Sequence, residues 1–166
     1  MYPRAKSFGI VIHHNRLLLQ EYNIDNETYY RPLGGSIELG EKSDETVIRE
    51  FNEELHTEIE IIDYLGCLEN IFHLDEEIGH EIIQLYSLRL LDRSLYEMEI
   101  VNIQDEQTAS YAKWVPITAF IQKEKLLYPD GILKYIKKKK TKSYRISSFF
   151  SYINQYLQDV VRHEQS

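Results

Sequence analysis

The apolar positions of the chain fall into short runs separated by turn residues, and this pattern predicts β-strands. Residues 8–12 are apolar enough for a buried strand, residues 13–16 resemble a turn, and residues 17–19 predict the returning strand. Two longer aliphatic and β-branched stretches, residues 59–68 and 80–91, flank an acidic turn. These two stretches therefore predict a second hairpin.

Two shorter segments complete the strand pattern. Residues 29–31 precede Pro32, which disfavours helix for the residue before it and so indicates an extended approach to the next segment. Residues 113–117 predict a short strand that leads into a helix, with Trp114 as a core residue. Residues 92–111 have the mixed, polar pattern that is typical of a loop.

One helix is predicted after the glycine pair Gly34-Gly35. Ser43 is a favoured N-cap residue and marks its start. Ile48, Phe51 and Leu55 lie at positions i, i+3 and i+7, which predicts one apolar stripe that packs on the core.

Three carboxylates, Glu50, Glu53 and Glu54, lie off that stripe of the helix and are neighbours at spacings of three and four residues. Like charges at such spacings destabilise an isolated helix by roughly 0.2–0.5 kcal/mol per pair. A hard cation held between them accounts for the arrangement, because carboxylate oxygens suit Mg²⁺ or Mn²⁺. Gly34 and Gly35 let the backbone turn sharply and approach a ligand closely.

The run from residue 35 to residue 57 resembles the Nudix box. That box reads G, five residues, E, seven residues, R-E-U-x-E-E-x-G-U, where U is a bulky aliphatic residue. The chain matches its charged positions and its first glycine with Gly35, Glu41, Arg49, Glu50, Glu53 and Glu54. Phe51 fills the first U position, whereas His56 and Thr57 stand where the box has its second glycine and its last U.

The resemblance implies the Nudix fold, a mixed β-sheet in an α/β/α sandwich, and a hydrolase that uses Mg²⁺. It implies that the carbonyl of Gly34 faces a metal ion and that Glu41 completes the metal shell of Glu50, Glu53 and Glu54. It also implies that Arg49 fixes the carboxylates by ion pairing. The expected catalytic residues from the box are Arg49, Glu53 and Glu54.

The expected reaction is hydrolysis of a pyrophosphate bond in a nucleoside diphosphate linked to another moiety. Divalent ions neutralise the dense negative charge that repels an attacking oxygen at such a bond. Oxidised deoxynucleoside triphosphates, ADP-ribose and nucleotide sugars all remain open as substrates. Two alternatives are an RNA 5′-end pyrophosphohydrolase and a Nudix-like sensor that binds a nucleotide without cleaving it. The lysines near the C-terminus point to the former, and the full set of glutamates argues against the latter.

Four residues outside the box are candidates for substrate contact or proton transfer. Tyr30 and Arg31 precede the glycines, where they would stack on a base or hold a phosphate, or would simply form a strand with one exposed face. Glu81 is a substrate ligand, a second metal carboxylate or an exposed polar residue at the mouth of a strand. Glu106 is our choice of general base over Asp105, Glu97 and Glu99, because its side chain is longer than that of Asp105 and it lies closest to the strand at 113–117. Glu41 and Glu81 remain open as alternative bases.

The length of 166 residues is enough for one domain with a sizeable core, and a net charge of −8 argues against extensive contact with nucleic acid. The single Cys67 cannot form an internal disulfide, so a reducing cytoplasm is expected, and its apolar neighbours predict that it is a buried filler. Neither a signal-like N-terminus nor a stretch as long as a membrane span occurs in the sequence.

The C-terminal part of the chain is expected to be an extension of the domain. Residues 1–136 are predicted to form the hydrolase domain, and residues 137–166 a basic segment followed by an amphipathic helix. Apolar residues recur there at helical spacing, namely Phe149, Ile153, Tyr156, Leu157 and Val160. We expect this helix to pack on the domain or on a partner subunit in a homodimer. The lysines at 137–140 would suit RNA or a phosphate-rich substrate, but the acidic net charge favours a solvated hinge before the helix.

Overall fold

The fold is described from a computed structural model, which places residues 2–24, 26–74, 77–104 and 110–138. Two compact units divide the chain, residues 1–132 and 133–166. In the second unit, residues 133–138 are helical. The predicted amphipathic helix at 149–160 lies outside the described residues.

Nine strands form one mixed sheet within the described residues. Their bounds are β1 Arg4–His13, β2 Arg16–Ile24, β3 Glu27–Arg31, β4 Leu33–Ser36, β5 Ile59–Leu74, β6 Glu77–Leu90, β7 Ile100–Ile103, β8 Ser110–Pro116 and β9 Leu126–Leu127. Helix α1 spans Ser43–Leu55, a 3₁₀ turn spans Arg93–Tyr96, and helix α2 spans Ile117–Ile121. Both hairpins and the central helix of the sequence prediction are confirmed.

Strand β1 is shared by several pairings of the sheet. It runs parallel to β6, with Arg4 opposite Glu81 and Val11 opposite Leu88. It also pairs antiparallel with β4 and β2. A two-residue turn at His14 and Asn15, both with positive φ, connects β1 to β2, as the sequence predicted. In the sheet, strand β1 therefore connects β2 and β4 to the hairpin of β5 and β6.

Helix α1 packs on the sheet through Val47, Phe51 and Leu55, which are at most 8% exposed. The contact with β1 is close, because a Cβ atom built on Gly9 would lie 2.5 Å from the Phe51 ring. Ile48 is 46% exposed, so its predicted place in the apolar stripe is wrong. Positions 47 and 48 are both compatible with an apolar stripe through 51 and 55, and the sheet lies on the side of Val47.

Helix α1 starts at Ser43 as predicted, but its N-cap residue and the burial of Cys67 differ from the prediction. The N-cap is Lys42, not Ser43, and its N–H is bound by the Glu45 carboxylate at 2.9 Å. The Ser43 hydroxyl instead lies 2.6 Å from the Tyr86 hydroxyl. Cys67 is exposed on β5. Trp114 is buried, as predicted, and its indole N–H donates to the carbonyl of Leu95.

Among the described helices, none has the length and apolar character needed to span a bilayer.

Candidate active site

The candidate site lies where the two glycines of β4, Gly34 and Gly35, lie beside helix α1. Gly34 has φ +133°, and a Cβ atom there would lie 2.1 Å from the carbonyl oxygen of Ser7. A Cβ atom on Gly35 would lie 2.0 Å from Oε1 of Glu50. Only glycine leaves room for β1 behind Gly34 and for the carboxylate in front of Gly35.

Arg49 connects three of the predicted carboxylates. Its Nε donates to Oε1 of Glu41 at 2.8 Å, and its Nη2 donates to Oε2 of the same residue at 3.0 Å. Its Nη1 donates to Glu50 at 3.0 Å and to Glu53 at 3.1 Å. Nη2 also donates to the carbonyl of Ser36 at 3.2 Å, so the guanidinium ties the glycine loop to the helix.

The environments of Glu41 and Glu50 push their pKa values in opposite directions. Hydrogen bonds from Arg49, and then from the Thr46 hydroxyl, lower the pKa of Glu41 to about 2. Burial raises the pKa of Glu50 and outweighs the opposing effect of Arg49. Glu41 is therefore a fixed anion, whereas the charge of Glu50 has a desolvation cost that a nearby cation would relieve.

Glu53 and Glu54 complete the set on α1. The side chain of Glu53 is largely exposed, at 58%, and that of Glu54 is half-buried. The backbone carbonyl of Glu54 accepts a hydrogen bond from the N–H of Gln104 at 2.9 Å, just before residues 105–109. This bond joins the helix to the polar segment in which the general base was predicted.

The donor chemistry of the cluster fits a divalent cation of the Mg²⁺ type. Its side-chain ligand atoms are carboxylate oxygens, and Glu50 lies in a space that a side chain at position 35 would fill. Among the described residues, there is no group of three or more Asp, Glu, His or Cys side chains whose positions could hold one metal ion without rearrangement. Three of the carboxylates bind Arg49 instead, so a cation would share them with the guanidinium.

The three predicted substrate residues occupy different environments. Tyr30 is buried, and its hydroxyl donates to Glu21 at 2.7 Å and accepts from Lys125 at 2.8 Å. Arg31 lies between two rings, 5.3 Å from the centroid of Phe8 and 4.8 Å from that of Tyr22. The Tyr30 hydroxyl is therefore hydrogen-bonded to two side chains of the protein, whereas the Arg31 guanidinium contacts two aromatic rings.

Glu81 is 8% exposed and accepts hydrogen bonds from Arg4 at 3.2 Å and from Asn70 at 3.3 Å. Lys6 Nζ lies 4.0 Å from the same carboxylate and is close enough to Glu50 for the two charges to interact. Lys6 was not singled out from the sequence. Its alternation with Arg4 and Phe8 on β1 is the signal that places these three side chains on one face.

The predicted general base Glu106 and its rival Asp105 lie outside the described residues. Of the remaining alternatives, Glu97 and Glu99 are exposed after the 3₁₀ turn.

Sequence and structure comparisons show the family and the fold of the chain. The family model described as the NUDIX domain matches residues 3–134. The chain belongs to the Nudix domain family. It is therefore a Nudix hydrolase, an enzyme class that acts on phosphoanhydride bonds and generally uses divalent metal ions. The predicted α/β/α sandwich is confirmed.

Solved structures show the same Nudix fold at low sequence identity. The E. coli ORF135 protein is 16% identical with a TM-score of 0.60, over 87% of this chain and 94% of that one. The MutT protein of Methanosarcina mazei Go1 is 16% identical with a TM-score of 0.58, over 85% and 96%. The MutT Nudix hydrolase of Burkholderia pseudomallei is 17% identical with a TM-score of 0.57, over 71% and 86%. No curated protein matches the chain significantly in sequence.

Proposed function

We propose that the protein hydrolyses a pyrophosphate bond in a nucleoside diphosphate linked to another moiety, and that it requires Mg²⁺. The observation that carries the proposal is the carboxylate cluster of Glu41, Glu50 and Glu53, which Arg49 organises beside Gly35. Oxidised deoxynucleoside triphosphates, ADP-ribose and nucleotide sugars contain the bond in question.

The residues that would hold the ions are Glu50, Glu53 and Glu54 on α1, together with Glu41 and the carbonyl of Gly34. When bound, such ions neutralise the charge of the phosphates and orient them for in-line displacement. Arg49 keeps Glu41, Glu50 and Glu53 at one side of the loop before any ion arrives. This arrangement lowers the cost of reorganising three negative charges during binding.

The proton of the attacking water needs an acceptor that is not itself a metal ligand, because a cation stabilises the charged form of its ligands. We propose Glu106 for this role. The support is the bond between Gln104 and Glu54, which attaches the segment before Glu106 to the helix that carries the carboxylates.

A product-release screen tests the proposal. Nucleotide sugars, ADP-ribose, dinucleoside polyphosphates, oxidised deoxynucleoside triphosphates and 5′-triphosphorylated RNA are each incubated with Mg²⁺, with Mn²⁺ and with chelator. We expect turnover of at least one free nucleotide class with Mg²⁺ and none with chelator. Glu50→Gln should lower that turnover by orders of magnitude, whereas Glu60→Gln, on an exposed ion pair with Arg89, should not. Turnover that persists in chelator or in Glu50→Gln would refute the proposal.

A further inference from the structure

Two basic side chains outside the box, Lys6 and Arg31, interact electrostatically with each other, and Lys6 also interacts with Glu50. On β1, Lys6 is opposite Ser36 of β4 and opposite Ile83 of β6, and the next residue, Ser7, is opposite Gly35, against which Glu50 packs. The Lys6 side chain is only 14% exposed. Glu81 Oε1, at 4.0 Å, is beyond hydrogen-bond distance and also accepts from Arg4. The Lys6 ammonium is therefore a buried cation with spare donors.

Arg31 is the second basic group. Its guanidinium is held between the rings of Phe8 and Tyr22, and one terminal nitrogen donates to the Tyr22 hydroxyl. Its Nε atom is buried and has no hydrogen-bond partner among the described residues. A buried guanidinium N–H without a partner is costly, so this position favours an acceptor from outside the chain.

The charges of Lys6 and Arg31 act on each other. Burial, followed by repulsion from Arg31, lowers the pKa of Lys6, while Glu81 and Glu50 act in the opposite direction. Glu50 thus offsets part of the Lys6 charge and is also a proposed ligand of the metal ion.

We propose that Lys6 and Arg31 form an anion subsite that binds a phosphate group of the substrate beside Glu50. The inference rests on the proposed function, because it assigns a phosphate of the same substrate to this side of the site. Lys6 supplies a point charge with three donors, whereas Arg31 supplies a planar donor held in place by two rings. Phe8 and Tyr22 act as positioning residues for Arg31.

Binding to the metal-free protein tests the subsite separately from catalysis. Titration calorimetry in chelator would use ADP, inorganic pyrophosphate and, as the ligand without phosphate, adenosine. The variants are Lys6→Met, Arg31→Met, the charge-preserving Lys6→Arg, and the control Lys123→Gln, which removes a positive charge from the exposed turn after α2. Lys6→Gln serves as a second neutral variant, and circular dichroism melts establish that each protein is folded.

We expect the Kd for ADP and for pyrophosphate to rise about 10-fold in Lys6→Met and in Arg31→Met. Lys6→Arg should stay within about 3-fold of the original protein, and Lys123→Gln should not change the Kd. The dependence of Kd on salt should become shallower in both neutral variants. Adenosine should be unaffected by the loss of Lys6.

Three results would each refute the subsite. The original protein would bind neither ADP nor pyrophosphate in chelator; or folded Lys6→Met and Lys6→Gln would bind both ligands as tightly as the original protein; or Lys6→Met would weaken adenosine binding as much as ADP binding.

Failure of the proposed function would give a different result. In that case no nucleotide is hydrolysed with Mg²⁺, although phosphate binding still depends on Lys6. If hydrolysis proceeds with an unchanged KM in Lys6→Met, the hydrolase proposal stands and the subsite does not.

Discussion

The guanidinium of Arg49 holds the carboxylate of Glu41 through two parallel hydrogen bonds, at 2.8 and 3.0 Å, across seven intervening residues. The same guanidinium reaches Glu50 and Glu53. One residue therefore sets the positions of three carboxylates that would otherwise repel one another.

Arg49→Lys tests that role with the charge retained. An ammonium cannot reproduce the bidentate bond to Glu41 while also reaching Glu50 and Glu53, so the carboxylates should shift. We expect kcat with Mg²⁺ to fall about 10²-fold, the scale of effect that small misplacements of a reacting group cause. The matched control is Arg89→Lys in the exposed pair with Glu60, which should leave kcat unaltered. Near-original kcat in Arg49→Lys would show that the guanidinium geometry is dispensable.

Gly35→Ala tests the space in front of the Glu50 carboxylate. The new methyl group would lie 2.0 Å from Oε1 of Glu50 and would displace it. We expect activity to fall about 10²-fold or more. Gly40→Ala is the contrast, because nothing lies within 4 Å of a Cβ atom at this position. The backbone φ of +90° would be strained for alanine, but no neighbour would be displaced. That variant should lose about 1–2 kcal/mol of unfolding free energy and keep its activity. Equal activities in the two variants would contradict the close approach.

His56→Gly tests the departure of this chain from the box. His56 ends α1 with φ 49° and ψ 38°, the left-handed conformation that glycine adopts without strain. We expect an unchanged kcat and a gain in unfolding free energy of about 1 kcal/mol at most, measured by urea denaturation. A large loss of activity would instead assign His56 a chemical role.

The stability of the fold should depend on pH through Glu21. Burial disfavours its charge, but donors on Tyr30, Tyr111 and Lys113 outweigh burial and hold the pKa of Glu21 below its ordinary value. The stability from this group is therefore present above about pH 4.5 and is lost as pH falls below it.

Glu21→Gln should lower the unfolding free energy by about 1–3 kcal/mol at pH 7, because Lys113 loses its counterion. The difference from the original protein should shrink between pH 4.5 and pH 3. Glu27→Gln is the control, since Glu27 accepts a similar bond from Tyr29 on the exposed surface. A difference that is the same at pH 7 and pH 3 would exclude Glu21 as the titrating group.

The C-terminal extension remains a prediction from sequence. Removing residues 143–166 deletes an apolar stripe that needs a buried surface. We expect aggregation or a changed number of subunits, measured by light scattering coupled to size exclusion, with residual hydrolysis in the soluble fraction. A truncated protein that is monodisperse, equally stable and of unchanged subunit number would remove the packing role.

Local features of the site were predictable from the sequence because they depend on short spacings. The glycine loop, the carboxylates of α1 and the long β5–β6 hairpin each follow from residues close together in the chain. The face of the sheet on which a side chain lies was harder to predict where the register of strand pairing changes. Cys67 follows two irregularities in the pairing of β5 with β6, between Ile61 and Asp63 and between Tyr64 and Gly66. Each such shift changes which face later side chains occupy, so neighbouring residues alone did not indicate that Cys67 is exposed.

Lys6 was missed for a different reason. Its proximity to Glu81 depends on parallel pairing between strands that lie far apart in the sequence, with Arg4 opposite Glu81. A sequence pattern predicts each strand but not the partner of a parallel strand, since a long crossover separates the two.

Because β1 pairs with β6, the residues of the Nudix box and the strands before it are not expected to form a stable site by themselves. A fragment that ends at residue 74 would retain the glycine loop, α1, Lys6 and Arg31, but would lack the strand that covers one edge of β1. It would also lack Leu88 and Leu90, which share the core with Phe51. Such a chain, whether a proteolytic product or a stalled translation product, would present an open apolar edge strand, and we expect it to self-associate before it can hold a nucleotide.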